Sequence, residues 1–372
     1  MDGYGLISRT RQLYSMLSDE KSKQIFWARL KADTADDWTS VMELATLCQG
    51  TATEEEIAIR GWKDRLNDIL SDGRRLVLYG TGGTGRQFAS RMIHEKIEFY
   101  AFCGRRAAAF PDGLMGRPVL EPRYLIDHAG QFNVVISTYN YYKEILEFLR
   151  QNNFPEEHII KLFNPPYPKA VSRQYFDFAD WIPEKGAFVD AGCLDLSDSF
   201  TFSELRRENS AIFAFEPDPV AFQCCEEILK QNQLPQCKLF KAGLSDHTGT
   251  ADLAVTGKGS GFLIENWDLP YHQENLARID MIRLDDCVGN TLVGMIKMDI
   301  EGSELSALHG AAVTIRRDKP FLAICVYHKP GDLLSIMDYL SELCPDYRFW
   351  LRHYSPRNEE TVLYASIRTT IC

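Results

Sequence analysis

Three stretches of this chain place chemistry-bearing residues at useful spacings. In IKMDIEGSEL, Ile296 to Leu305, an apolar run reaches Asp299 and Glu301 before Gly302 and a helix-like continuation. Strand residues two apart face the same way, so both carboxylates can converge at a strand tip if the strand runs that far. There they suit a divalent ion, an amine to be oriented, or a proton in transfer. The alternative, which this acidic strand end favours less, is that Glu301 simply caps the helix start. In FLAICVYHKP, His328 follows another apolar run and is expected near the same sheet edge. Histidine titrates near neutrality and is the usual general base, although a strand-end histidine is often a structural hydrogen-bonder. His353, in WLRHYS, is the weaker candidate, expected to support an antiparallel strand pair.

Two glycine turns compete for a nucleotide. VLYGTGGTGRQFA carries Gly80, Gly82 and Gly85 as G-x-G-x-x-G, the spacing that brings backbone close to a pyrophosphate at a helix start. The next strand, EFYAFCG, ends without a carboxylate, and Arg105 and Arg106 follow. That pair suits the 2′-phosphate of NADP or the phosphates of a nucleotide sugar; alternatively the glycines merely close a tight strand-helix junction. The second turn, FVDAGCLD, has Asp190 and Gly192, and AFEPDP places Glu216 at the tip of the following strand. An acidic residue there accepts both hydroxyls of an adenosine ribose. The poorer glycine fingerprint therefore has the ribose partner that the better one lacks, and the Gly80 to Gly85 motif argues only weakly for a dehydrogenase.

These residues need sheets to hold them. Residues 1–72 read as helical: in LSDEKSKQIFWARLKAD, Ser18 can cap, Asp19 and Glu20 suit the positive end, and Ile25, Phe26 and Leu30 form an apolar stripe. Another helix is expected in GWKDRLNDILSDG. From 73 to 165 strands alternate with helices, which predicts a small Rossmann-like α/β domain with a parallel sheet. NPPYPKA, Asn164 to Ala170, breaks the periodicity and reads as a linker. Over 166–372 the alternation starts again, with KLFKAGLS as one strand, SELSALHGAAVTIRR as one helix, and YRFWLRHYS and ETVLYAS as an antiparallel end.

Composition narrows the function classes. A length of 372 residues predicts two or three domains at roughly 100–200 residues each. The formal net charge of −11, without a clustered basic face, argues against nucleic-acid binding. No apolar run is long enough to span a bilayer, and MDGYGLISRTRQ lacks a signal peptide's apolar middle, so a soluble cytoplasmic protein is expected. The ten cysteines include no C-x-x-C pair, so they read as free thiols rather than metal ligands. The IFWARL face is expected to pack in a core, with a homo-oligomer contact as the alternative.

Taken in order, FVDAG, AFEPDP, AGLSDHTG, LDD at Leu284 to Asp286, IKMDIEGSELSALHGA, LAICVYHKPGDLL and LRHYS with ETVLYA resemble the FkbM family of S-adenosylmethionine-dependent methyltransferases. The resemblance implies two tandem Rossmann-like domains, the C-terminal one a class I methyltransferase fold with a seven-stranded, mainly parallel sheet. It implies methyl transfer to a hydroxyl of a sugar, glycan or natural product. Asp190 and Gly192 would stand in the methionine-binding turn, Glu216 at the ribose, Gly243, Ser245 and Asp246 along the adenine, and Asp299 beside the amino group or reacting centre. His328 would be the base, with Asp299 and Glu301 orienting the acceptor or holding a divalent metal. One departure is Leu196, where the family commonly has a second glycine; it is expected to narrow the methionine end unless the loop keeps an ordinary φ. The N-terminal half resembles the nucleotide-sugar-type Rossmann domain found ahead of longer family members. Besides the NADP-linked oxidoreductase, the rival reading is a non-catalytic scaffold whose second turn has decayed.

Overall fold

The computed structural model describes residues 3–35, 38–45, 47–48, 72–94, 97–138, 141–160, 174–206, 210–232, 234–255, 261–263, 276–355 and 358–368. The linker NPPYPKA and nearly all of the helix expected in GWKDRLNDILSDG lie outside them. The chain divides into two compact units, one of residues 1–34, 47–49 and 171–372, the other of 35–46 and 50–170. The helices Gly3–Ser15 and Glu20–Ala35 thus belong essentially with the C-terminal unit, where the sequence suggested one helical segment over 1–72. Ile25, Phe26 and Ala28 are fully buried, so the IFWARL face is largely core, while Trp27 stays 45% exposed. Asp19, rather than Ser18, caps that helix by accepting the Ser22 N–H at 2.7 Å, and its carboxylate also receives Arg352 at 2.7 Å. Among the described residues no helix is long and apolar enough to cross a membrane.

The smaller unit holds β1 (Arg75–Tyr79), β2 (Ala101–Cys103), β3 (Val119–Leu120), β4 (Phe132–Ile136) and β5 (Ile159–Ile160). They form one parallel sheet in the order β3-β2-β1-β4-β5. β1 and β4 are buried almost throughout, which suits their largely apolar sequence.

The larger unit continues with β6 (Ala187–Ala191), β7 (Ile212–Phe215), β8 (Cys237–Phe240), β9 (Ala242–Leu244), β10 (Gly249–Ala254), β11 (Phe262–Leu263), β12 (Leu276–Ile282), β13 (Val293–Met298), β14 (Phe321–Cys325), β15 (Arg348–His353) and β16 (Thr361–Ser366). Seven of them pair in the order β15-β16-β14-β13-β6-β7-β8, and β16 alone runs against its neighbours. β9 to β12 form a second, four-stranded sheet. The expected strand KLFKAGLS therefore breaks at Lys241 and serves both sheets. The expected helix after Gly302 also divides, into Glu304–His309 and Ala312–Asp318. Gly310 stands at the break, where a Cβ would come within 1.9 Å of the Ser245 carbonyl oxygen. Strand order reverses between β6 and β13, and parallel sheets open a crevice beyond the strand ends at such a reversal.

Candidate active site

That crevice holds a cavity of about 120 Å³, bordered by Gly192 and Leu194 after β6, Glu216 after β7, Gly243 in β9, and Asp299 and Glu301 after β13. Gly192 has φ 75°, and a Cβ there would lie 2.0 Å from the Asp299 carbonyl oxygen. Only glycine lets the two turns approach so closely.

Glu216 is the cavity's prepared acceptor. Leu194 N–H donates to its Oε2 at 3.0 Å and Asp218 N–H to its Oε1 at 2.9 Å, which fixes the carboxylate and leaves each oxygen a lone pair. Burial raises its pKa to about 7, against these backbone donors, which lower it. Asp190 lies one layer deeper, fully buried, accepting from Ser199 Oγ at 2.7 Å and Lys297 Nζ at 3.0 Å. Lys297 also donates to the Gly192 carbonyl at 2.7 Å and approaches Asp198 at 3.4 Å. Burial alone would depress the Lys297 ammonium, but Asp190, Asp198 and Asp299 outweigh it and keep it charged. Asp190 thus supports the turn from behind instead of bordering the cavity. Of the second-sheet candidates only Gly243 borders it; Ser245 bonds Asp246 and lies 3.3 Å from Ser306 Oγ, and Asp246 bonds His247 at 2.6 Å.

Leu196 adopts φ 61°, so its loop does not keep an ordinary φ. Its side chain is nevertheless fully buried with Cys193, Ala214 and Cys225 and is not part of the cavity wall. Leu196→Gly should relieve about 1–2 kcal/mol of left-handed strain but forfeit about 2–5 kcal/mol of core packing. Urea unfolding should show a net loss of roughly 1–3 kcal/mol, with no change in what the cavity binds. A more stable variant would mean that packing contributes little here.

Asp299 and Glu301 both reach the cavity, but not by strand alternation. β13 ends at Met298, and Glu301 sits in the turn at φ 53°. Two phenols fix Asp299: Tyr175 donates to Oδ2 at 2.8 Å and Tyr327 to Oδ1 at 3.1 Å. Burial would raise its pKa, but His328, Lys297 and Tyr175 hold it below the usual carboxylate value. Burial, and then the neighbouring Asp299, raise Glu301, against the pull of His328. His328 Nε2 lies 3.3 Å from Asp299 and 3.7 Å from Glu301, and Nδ1 lies 2.9 Å from Glu304. Burial alone would lower its pKa; Glu304, Asp299 and Glu301 raise it to about 10. The free histidine therefore already carries its proton at neutral pH, which the sequence does not disclose. His353 is buried in β15 with Nδ1 2.9 Å from Thr361 Oγ1, between the two antiparallel strands.

Sequence reasoning missed four contributors. Lys297, a lone charge in an apolar strand, and Glu304, the acidic start of a short helix, left a local signal. Tyr175 and Tyr327 left none, because their hydroxyls meet Asp299 only through tertiary folding. In the smaller unit, Gly80 has φ 149° and a Cβ on Gly85 would fall 2.2 Å from the Gly80 carbonyl oxygen, so the tight turn itself requires both. Gly82 has open space around it, and Arg105 pairs with Glu144 at 2.9 Å beside the Tyr141 ring.

Comparisons with known proteins agree with the larger unit. Residues 186–354 match the family model of the methyltransferase FkbM domain. Among solved structures, the chain is similar to a methyltransferase FkbM from Methylobacillus flagellatus KT, at 18% identity over 81% of this chain and 92% of that one, TM-score 0.44. It is also similar to a putative rRNA-methylase from Clostridium thermocellum, at 13% identity over 53% and 96%, TM-score 0.33. A third is the SAH-bound Podospora anserina methyltransferase PaMTH1, at 10% identity over 62% and 89%, TM-score 0.32. No curated protein matches the chain. Residues 186–354 are a methyltransferase FkbM domain.

Proposed function

We propose that this protein is an S-adenosylmethionine-dependent methyltransferase with a class I fold that methylates a hydroxyl of a sugar, glycan or natural product. The observation that carries the reading is Glu216, a carboxylate fixed by two backbone donors in a cavity bordered by Gly192 and Gly243, within the FkbM domain. Its free lone pairs fit the two ribose hydroxyls, and the glycine turn at Gly192 fits the methionine end. S-adenosylmethionine supplies an electrophilic methyl group when bound. The chain's residues have the remaining tasks: to align the acceptor and to take one proton. Asp299, held anionic and fixed by Tyr175 and Tyr327, orients the acceptor. Glu301 borders the cavity and is the carboxylate placed to receive the proton; His328, already protonated, supplies a compensating positive charge. The net charge of −11 favours a small-molecule or glycan acceptor over RNA. Incubating the protein with methyl-labelled S-adenosylmethionine and a panel of hydroxylated sugars tests this; label transfer to nitrogen or RNA alone would overturn the acceptor class.

Glu216 makes binding pH-dependent. Its folded pKa of about 7 exceeds the ordinary 4.5, so the free folded protein binds more protons than the unfolded chain between those values. Stability from this group is therefore greatest below pH 4.5 and lost as pH rises towards 7. Ribose hydroxyls donate to the charged form, so binding should release a proton near pH 6.5 and weaken below it. Calorimetry in buffers of different ionisation enthalpy should show that release in the wild type and none in Glu216→Gln.

The smaller unit supports a second reading less well. Its glycine turn could receive NAD(P) or a nucleotide sugar, but Arg105 is engaged by Glu144. NADPH affinity unchanged by replacing Arg105 and Arg106 with Ala would remove the phosphate partner that reading needs.

A further inference from the structure

Asp299, Glu304 and His328 arrive from three places in the fold: the turn after β13, the first residue of the helix Glu304–His309, and the segment after β14. One ligand-type atom from each lies within 4.8 Å of the others. Two donors on opposite sides of a cation with bonds of about 2.1–2.3 Å stand about 4.2–4.6 Å apart and adjacent ones about 3 Å, so a spread of this size suits one shared ion.

The donors are held but not used up. Asp299 keeps a lone pair beyond its bonds to Tyr175 and Tyr327. Glu304 Oε1 accepts the Ile300 N–H at 2.9 Å, whereas its Oε2 is buried with no hydrogen-bond partner among the described residues. His328 Nδ1 is likewise buried, and its one near neighbour is Glu304 Oε1, 2.9 Å away, another member of the set. Both residues are more than nine-tenths buried. Leaving Glu304 Oε2 unsatisfied costs roughly 1–3 kcal/mol, a cost that a shared cation would remove.

We infer that Asp299, Glu304 and His328 form a divalent-cation site in the wall of the cavity, taking Mg²⁺ or Mn²⁺. Two carboxylates and an imidazole that gives up its proton to the solvent as the ion binds balance a double positive charge, and an oxygen-rich set without thiolate suits these hard ions. Glu304 and His328 replace Glu301 as partners of Asp299. Glu301, 3.7 Å from His328, stays on the cavity side. Asp299 is the member that borders the cavity, so the remaining coordination positions face an incoming ligand oxygen. The site stands on geometry; its use, orienting an acceptor hydroxyl and lowering its pKa, rests on the methyl-transfer reading.

The test is titration of chelator-treated, desalted protein with Mn²⁺, followed by electron paramagnetic resonance. The expected result is one Mn²⁺ per chain with nitrogen coupling from imidazole, and affinity reduced at least about 10-fold in Glu304→Gln and in His328→Gln. Saturable uptake with no nitrogen coupling, no saturable uptake, or unchanged uptake in both variants would overturn it. The coupling is read on wild-type protein, so a variant that fails to fold does not blunt the test. S-adenosylmethionine is titrated into the same sample. Cofactor binding without Mn²⁺ uptake would overturn the cation site alone; Mn²⁺ uptake without cofactor binding would overturn the methyltransferase reading alone.

Discussion

Lys297→Met should destabilise the protein by about 3–5 kcal/mol, a large part of a typical total of roughly 5–15 kcal/mol. Methionine fills a similar volume, so the loss would be electrostatic rather than a cavity. Asp190 is fully buried, and without Lys297 it keeps only the Ser199 hydroxyl among its described partners. Asp198, whose pKa burial raises to about 6, would lose its ammonium neighbour as well, and the Gly192 carbonyl its donor. Adding Asp190→Asn should recover part of the loss by removing the stranded charge. Denaturant unfolding of the single and double variants checks this. Near-wild-type stability in Lys297→Met would show that water or rearrangement compensates the aspartates and that the network does not hold the turn.

Asp299→Asn should lower turnover by about 10²–10⁴-fold, the range for losing a positioned proton-handling or orienting group. Asparagine keeps the shape but presents an amide N–H₂ where one tyrosine hydroxyl now donates. Tyr175 or Tyr327 would lose its acceptor, and the side chain would turn away from the cavity. S-adenosylmethionine affinity should change far less than turnover, because Glu216 and the Gly192 turn remain. Rates of labelled methyl transfer beside calorimetric affinities separate the two effects. Turnover close to wild type would remove Asp299 from the reacting centre.

Much of this site was legible because its residues follow apolar runs. Asp190, Glu216, Asp299 and His328 each stand at or just past the end of a strand whose periodicity is plain, and a parallel sheet gathers such ends along one edge. Local dihedrals were not legible. Glu301 reaches the cavity through a positive φ, and Leu196 takes the left-handed conformation of the absent glycine while turning its side chain into a core. Nor could the state of His328 be read from its residue type, since three carboxylates of residues 299–304, brought beside it only by folding, set it. The break at Lys241 and the joining of residues 3–34 to the C-terminal unit depend equally on distant packing.

The cavity between Gly192 and Glu216 should receive S-adenosylmethionine. Calorimetric titration of S-adenosylmethionine and its demethylated product into wild type and Glu216→Ala tests it most directly, with NADPH as the comparison ligand. Two hydrogen bonds to a carboxylate, at about 1.5–3 kcal/mol each, predict micromolar binding of both ligands in the wild type and a loss of at least about 100-fold in the variant. Binding of NADPH alone, unchanged by Glu216→Ala, would contradict the account and move the working nucleotide site to the glycine turn of the smaller unit.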